Sequence, residues 1–378
     1  MLTAKPLWIL ICNPENRRQH LFQQALPNDA DYLLLSYLEL LQTPHLPLFL
    51  SQRLRSFLGR PWLVKIDSAG ENFAVEKALL QRINPNQFAQ LANDKGRFHH
   101  VDKWFLGFKS LLTEVAHAIE QIADDVNSRL QYLNSPRVIL AMADKWECQQ
   151  YLRQHQVPTP LLFEPINNLP ELVQQMRQRR CYQVFVKSRY GSSASGVMAL
   201  RLNPKTGDLI AKTSLERVVD GVHSHFYNSL KVKTYREPEQ IAELLQQIVL
   251  QQAYVEAWVP KPQINGRQFD LRILLLNGKA GHYVTRTSLT PMTNLHLGNQ
   301  RGDILAHHDG ERMLQQAFAV AEQAASIFPE AGCIGADVIC GKSKARVVEL
   351  NGFGDLLPHV SYQGLSSYQA QVKAMQCY

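Results

Sequence analysis

The stretch CIGADVICGKSKARVVELN, residues 333–351, decides the architecture. It reads as two apolar strands, Cys333–Ile339 and Arg346–Asn351, joined by a turn at Gly341-Lys342-Ser343-Lys344. Side chains on a strand alternate between faces, so Glu349 and Asn351 share one. If the loop is the three residues Lys342–Lys344, Asp337 lies directly opposite Glu349 on that face. Three oxygen donors then converge between otherwise apolar strands. A hard cation that bridges nucleotide phosphates needs one or two carboxylates, with phosphate oxygens and water completing its shell. The competing account is a plain hairpin with a polar, solvent-facing side. Flanks that read as buried on both sides weigh against it.

Working upstream, a second hairpin turns at Asn277-Gly278, the strongest short hairpin signal. Asp270 and Arg272 alternate on its first strand, Phe269–Leu276, and Arg286 sits on the return strand, Tyr283–Thr287. Arginine in such a place can neutralise a transferring phosphoryl group or clamp a carboxylate with two parallel hydrogen bonds. An ideal two-residue turn puts Arg286 on the face opposite Arg272; a longer loop or a bulge restores a shared face. Without either, one of the two arginines is structural.

Further upstream, the strand Val184-Phe185-Val186-Lys187 delivers a lysine toward the small-residue loop Gly191-Ser192-Ser193-Ala194-Ser195-Gly196. Glycine and serine let backbone N–H groups approach phosphate oxygens. A Walker A loop would need Lys-Ser or Lys-Thr after the second glycine, where Val197-Met198 stands. The late Gly341-Lys342-Ser343 fails as well, because Ala336 occupies the place of the first glycine. Taken alone, residues 191–196 read more readily as a flexible surface loop.

The rest of the chain supplies the frame. Trp8–Ile11, Tyr32–Leu35 and Trp62–Ile66 read as strands alternating with helices, which implies a parallel sheet covered by helices. Asp67-Ser68-Ala69-Gly70-Glu71 leads into a helix over 72–82, and a long helical region is expected from Val101 to Leu133. Asn134-Ser135-Pro136 marks a boundary. Helices follow at about 142–155, 169–180 and 239–250, with strands at 182–187, 196–200 and 254–259. The segment 215–236, rich in His, Tyr and Phe, shows no period and reads as a cap over a pocket or as a plain loop.

Composition excludes several classes. The 378 residues are 45% hydrophobic, enough for two or three lobes. The charge surplus of +7 is mild and not clustered: Arg17-Arg18 and Arg177–Arg180 are short, which argues against nucleic acid. The six cysteines (Cys12, Cys148, Cys181, Cys333, Cys340, Cys377) form no C-x-x-C pair, so a reducing, cytoplasmic setting is expected. No segment reaches the ~18 apolar residues of a membrane span. His99-His100, His223, His225, His307-His308 and His359 lack ligand spacing, and Trp8, Trp62 and Trp104 read as packing residues.

Taken in order, these pieces resemble the ATP-grasp superfamily, in its branch of ribosomal-protein glutamate ligases and related carboxylate–amine ligases. The likeness runs from about Arg137 to Pro358. Asp144-Lys145 with Val157-Pro158-Thr159-Pro160 is similar to the family's entry signature, which implies that Lys145 contacts nucleotide phosphate. By the same resemblance Lys187 is a second phosphate-binding lysine and Gly191–Gly196, with Ser192, Ser193 and Ser195, the phosphate lid. Val255-Glu256-Ala257-Trp258-Val259 resembles the hinge strand, which gives Glu256 and Val259 to adenine and ribose. Asp270-Leu271-Arg272 resembles the Asp-x-Arg element, and Thr293-Asn294-Leu295-His296 with Gly298 the segment beside the phosphates, through Asn294 and His296. Asp337, Glu349 and Asn351 match the metal triad. The N-terminal third, with Asn13–Arg18, Asp67–Glu71 and Pro291–His296, is also similar to an uncharacterised bacterial ATP-grasp group. One departure bears on the acceptor: after Asn351 comes Gly352-Phe353-Gly354-Asp355, where studied relatives carry a small-residue loop.

The resemblance implies an α/β chain, α+β toward its C-terminus. Residues 1–135 would form an N-terminal parallel-sheet pre-ATP-grasp domain, 136–251 the lid lobe, and 252–378 the lobe with the metal and phosphate site. It implies ATP with Mg²⁺, or Mn²⁺ in its place, and ADP-forming ligation of a small-molecule or peptide carboxylate to an amine. Arg272 or Arg286 would stabilise the transferring phosphoryl group. A kinase on the same scaffold, a nucleotide-binding protein without turnover, and a homodimer stay open. Asp67, Ser68 and Glu71 could face the same cleft, since ligands gather at the carboxyl ends of parallel strands.

Overall fold

The computed structural model describes residues 5–191, 195–221, 223–341, 344–354 and 357–376. Its first sheet is parallel, in the order β2-β1-β3-β4, from β1 (Leu7–Cys12), β2 (Asp31–Ser36), β3 (Trp62–Ile66) and β4 (Leu130–Tyr132). β1 and β3 are buried along their whole length, as central strands covered on both faces must be. Leu7, Ile9, Ile11, Trp62 and Val64 face one core, and Trp8, Leu10 and Leu63 the other. The connecting helices are α1 (Arg17–Ala25), α2 (Tyr37–Gln42), α3 (Leu46–Leu54), α4 (Phe73–Ile83), α5 (Pro85–Phe88) and α6 (Val101–Asp125). Asn72 starts α4 by accepting a hydrogen bond from the Val75 amide at 3.0 Å, a cap worth about 1 kcal/mol.

Two expectations change here. The helix expected through Leu133 ends at Asp125, because Asn127 turns left-handed (φ 51°) and the Ser128 amide closes on the Ala123 carbonyl. Residues 130–132 instead add β4 to the sheet. The helix expected over 142–155 is two helices, α7 (Pro136–Ala143) and α8 (Lys145–Gln154). They break at Asp144, whose side chain accepts from the Glu147 amide at 3.2 Å.

Past α9 (Leu169–Gln178) comes the second sheet, antiparallel in the order β8-β7-β6-β5-β9. Its strands are β5 (Gln183–Ser188), β6 (Val197–Leu202), β7 (Leu209–Asp220), β8 (His223–Tyr235) and β9 (Ala253–Ala257), with α10 (Pro238–Leu250) packed beneath. The stretch 215–236, expected to be a cap or loop, is most of a long β-hairpin instead. Its alternation was hidden because both faces are part-exposed, so few positions needed to be apolar. β9 lies beyond residue 251 yet belongs to this sheet.

The third sheet runs β13-β12-β11-β14-β15, with β10 (Gln263–Ile264) paired to β11 (Arg267–Leu276). The others are β12 (Lys279–Ser288), β13 (Gln300–Gly302), β14 (Cys333–Cys340) and β15 (Ala345–Asn351). α11 (Gly310–Ser326) covers one face together with α7 and α8, through Val138, Met142, Cys148, Leu152, Ala317 and Ala321. β16 (Ser361–Tyr362), β17 (Leu365–Ser366) and α12 (Ser367–Gln376) close the chain. On the opposite face Leu274, Val284 and Cys333 meet Trp8 and Leu10 of the first sheet and Tyr368 and Val372 of α12, an apolar seal between the first and third sheets. No helix among the described residues is long and apolar enough to cross a membrane.

Candidate functional site

The third sheet has two unlike faces. Leu271, Ile273, Ala336, Val338 and Val347 point into the core beneath α11. Residues paired directly across a ladder share a face, and the pairs Asp270↔Arg286, Arg272↔Asp337 and Asp337↔Glu349 gather the charged side chains on the other one.

Two bulges create that row. Beside the Asn277-Gly278 turn the pairs are Leu276↔Lys279 and Leu275↔Ala280; past an irregularity they become Ile273↔Tyr283 and Asp270↔Arg286. The extra residue carries Arg286 onto the face of Arg272, the alternative that the turn alone left open. In the other hairpin the ladder runs Cys340↔Ala345, Ile339↔Arg346 and Val338↔Val347, then shifts to Asp337↔Glu349. The expected three-residue loop is therefore not the cause, for the Gly341 amide already closes on the Lys344 carbonyl at 3.0 Å. Val348 is the inserted residue, and without it Asp337 would face Val348. Lys342 and Ser343 lie outside the described residues.

Asp337 is the hub. Its Oδ1 is 2.5 Å from Arg272 Nε, and its Oδ2 is 3.1 Å from Arg286 Nη2 and 3.3 Å from Arg272 Nη2. Arg286 Nε also donates to Asp270 Oδ1 at 2.8 Å. Burial works against the Arg286 charge, but Asp270 and Asp337 more than offset it and hold the guanidinium protonated. Lys145, the first residue of α8, reaches Glu349 Oε1 at 3.1 Å. Burial pushes the Glu349 carboxyl up, while Lys145, Arg272 and Lys187 hold it below its ordinary value. Asn351 donates to the Gly335 carbonyl at 3.3 Å, at the open end of the same face.

Arg189 clamps Asp144 with two hydrogen bonds of 2.6 and 2.7 Å, tying the start of α8 to the end of β5. Lys187 on β5 pairs with Glu256 Oε1 on β9 at 2.5 Å, its ammonium lying over the Phe185 and Tyr254 rings. Glu256 is 2% exposed and its Oε2 has no described partner. Burial raises its pKa, Lys187 opposes this, and Glu349 adds to it, so Glu256 and Glu349 feel each other across the gap between sheets.

Sequence reading missed Lys261. Its side chain is 7% exposed, and its ammonium donates to Asp270 Oδ2 (3.0 Å), Thr293 Oγ1 (2.7 Å) and the Pro291 carbonyl (3.1 Å). The available signal was a lysine fixed between two prolines, Pro260-Lys261-Pro262, directly after the mostly apolar stretch Tyr254–Val259. Thr293 also donates to Asp270. Burial pushes the Asp270 carboxyl up, but Arg286 and Lys261 win and hold it well below the usual carboxylate range.

The remaining candidates lie around this centre. Asn294 caps a short turn by accepting from the His296 amide at 3.0 Å, and His296 is exposed. Met292 packs on Phe185 and Ala199, which brings this segment to the second sheet. Val259 is half-buried in the coil after β9. Ser192 and Ser193 lie outside the described residues, but the ends of their loop are fixed. Gly196 has φ +62°, and a Cβ there would come within 2.5 Å of the Phe98 ring; one on Gly191 would meet the Ser195 carbonyl at 2.7 Å. The Gly196 amide donates to Asn228 Oδ1 on β8 at 3.2 Å.

Residues 138–291 match the family model of YheC/D-like ATP-grasp domains. That part of the chain is similar to ATP-grasp domains. Three solved structures have the same ATP-grasp fold from end to end. The macrocyclase MdnC of Microcystis aeruginosa, bound with its precursor peptide MdnA, aligns over 98% of this chain and 99% of that one, with a TM-score of 0.52 at 12% identity. The D-cycloserine synthetase DcsG gives 0.51 at 12% identity over 98% of this chain and 99% of that one. The ATP-grasp ligase PsnB, complexed with a phosphomimetic variant of its minimal precursor, Mg and ADP, gives 0.50 at 12% identity over 99% of each. No curated protein sequence matches the chain.

Proposed function

We propose that this ATP-grasp chain is an ADP-forming ligase that activates a carboxylate as an acyl phosphate and joins it to an amine, or to another nucleophile. The observation that carries the reading is the shared face of the third sheet. There Arg272 and Arg286 both reach Asp337, opposite a Glu349 held by Lys145. In this reading the hinge between the ATP-clasping lobes follows β9, with α7 and α8 belonging to the lobe of the third sheet.

Lys145, Lys187 and Lys261 supply positive charge for a triphosphate, and the orphan Oε2 of Glu256 supplies an acceptor for a ribose hydroxyl or the adenine amino group. Asp337, Glu349 and Asn351 are the residues that would hold Mg²⁺; hard oxygen donors suit it. No three His, Cys, Asp or Glu side chains converge as a cage among the described residues, so such an ion would draw its remaining ligands from phosphate and water. When bound, it would neutralise charge on the β- and γ-phosphates.

The substrate carboxylate oxygen attacks the γ-phosphorus, the bond to the β-bridging oxygen breaks, and ADP leaves. Arg286 and Arg272 stabilise the charge spread over the equatorial oxygens. The amine then attacks the acyl carbon and inorganic phosphate departs. Closure of the 191–196 loop keeps water from the acyl phosphate.

Hydroxylamine trapping tests the reading. Purified protein, Mg-ATP and fractionated cell extract are followed by mass spectrometry for ADP and a hydroxamate. A trapped hydroxamate supports the ligase and identifies the carboxylate by mass; a phosphorylated, untrapped product replaces the ligase with a kinase. Gly196→Ala probes the loop. The left-handed backbone and the Phe98 contact should together weaken ATP binding about tenfold, read by calorimetry. Unchanged affinity would remove Gly196 from the nucleotide site.

A further inference from the structure

The charged row does not stop at Arg286. β13 pairs with β12 so that Arg301 lies directly opposite Arg286, on the same face and, as a direct antiparallel partner, about 5 Å away between Cα atoms. Unlike Arg272 and Arg286, Arg301 is exposed and forms no ion pair among the described residues. One of its donors, Nη1, is fixed to the Pro358 carbonyl at 2.7 Å, in the segment that follows Asn351. The guanidinium is thus oriented while most of its fork stays available.

It lines a cavity of about 320 Å³ between β12, β13 and the β16–β17 hairpin. Val284, next to Arg286 on this face, forms part of its wall, so the cavity adjoins the charged row. Ser361 and Tyr362 bring hydroxyls to the lining. His282 lines it as well, with Nε2 2.8 Å from the Leu365 carbonyl. A carbonyl only accepts, so Nε2 is the donor of that bond. Asp303, also in the lining, is turned to the Leu305 amide at 2.9 Å.

We propose that this cavity is the acceptor subsite and that Arg301 recognises a carboxylate on the acceptor, which makes the nucleophile an amino acid rather than a simple amine. The inference rests on the ligase reading. A planar carboxylate takes two parallel hydrogen bonds from the free side of a guanidinium. An α-carboxylate held there leaves the amine one residue's length away, toward Arg286, where the acyl group would be activated. A volume of this size accommodates a single amino-acid side chain beyond the anchored backbone. The C-terminus of a peptide offers the same chemistry.

The test is direct binding. Each common amino acid, its methyl ester and tri-L-alanine are titrated into the full chain with saturating Mg-ADP, with saturation-transfer NMR and calorimetry as readouts. At least one free amino acid should bind at millimolar concentration or below, and its methyl ester about tenfold more weakly. Arg301→Gln should erase that preference, and Arg301→Lys should keep part of it, while Mg-ADP affinity changes less than about twofold in both. Tri-L-alanine binding in place of free amino acids would keep the carboxylate anchor and move the source to a peptide end. Equal binding to wild type and Arg301→Gln, or no binding by any probe, overturns the proposal. Arg301-dependent binding in a protein that traps no hydroxamate would instead overturn the ligase reading and leave the subsite standing.

Discussion

Asp337→Asn should cut ATP turnover by about a hundred- to a thousandfold, the range seen when a preorganised charge contact at a reacting centre is lost. Asparagine keeps the shape of the side chain and one oxygen acceptor for Arg272 or Arg286, so the melting temperature should fall by no more than a few degrees. Asp337→Ala should differ in kind. It leaves Arg286, which is almost fully buried, with Asp270 as its one remaining acidic partner among the described residues, and strips Arg272 of both contacts to Asp337. Breaking a buried pair by removing one partner costs about 3–5 kcal/mol. Calorimetry beside a coupled ADP assay separates the two variants. An Asp337→Asn protein with more than half of wild-type turnover would remove this carboxylate from the chemistry.

Lys261→Met should destabilise the chain by about 3 kcal/mol and depress activity through the loop that carries Asn294 and His296. Three acceptors (Asp270 Oδ2, Thr293 Oγ1 and the Pro291 carbonyl) lose their donor in one step, each in a setting that water barely enters. Asp270 makes the effect separable. With Lys261 absent its carboxylate is under-compensated, so Asp270→Asn added to Lys261→Met should cost less than the sum of the single changes. Because Asp270 is held below its ordinary value, its contribution is present above about pH 4 and is lost as the pH falls through the folded value. The Lys261→Met penalty should therefore be flat from pH 6 to 8 and shrink in acid. Strictly additive double-mutant energies would mean that Lys261 acts on something other than Asp270.

Much of this face could be read before any coordinates. The spacing inside residues 333–351 put Asp337 opposite Glu349, and the Asn277-Gly278 turn located the other hairpin. What spacing could not give was the mechanism of alignment. A bulge leaves the apolar alternation intact on either side of it, so Val348 looks like any strand valine. Lys261 escaped because a buried lysine carries no periodic signal, and its partners Asp270 and Thr293 are distant in sequence. α2 and α3 were missed because Pro44 and Pro47 punctuate them, with Pro47 admitted as an early helical position. The outer part of the β7–β8 hairpin, from Glu216 onward, escaped for the opposite reason: it is largely solvated on both faces and needs no pattern.

The second sheet also bears on whether the protein stays dispersed. An open strand edge is a template on which another chain can pair, and this sheet would have two. Leu161–Phe163 lies along β9, with the Ala257 amide bonded to Leu161 and the Phe163 amide to Val255. On the other side Gly96–Phe98 lies along β8, through Phe98 to Phe226 and Asn228 to Gly96. Beyond that cover, β8 presents Lys231 and Lys233, both exposed, where a docking strand would bring its own backbone. The second sheet thus has one edge sealed and the other first covered and then made repellent, a defence against self-association written into the same hairpin that holds Gly196 through Asn228.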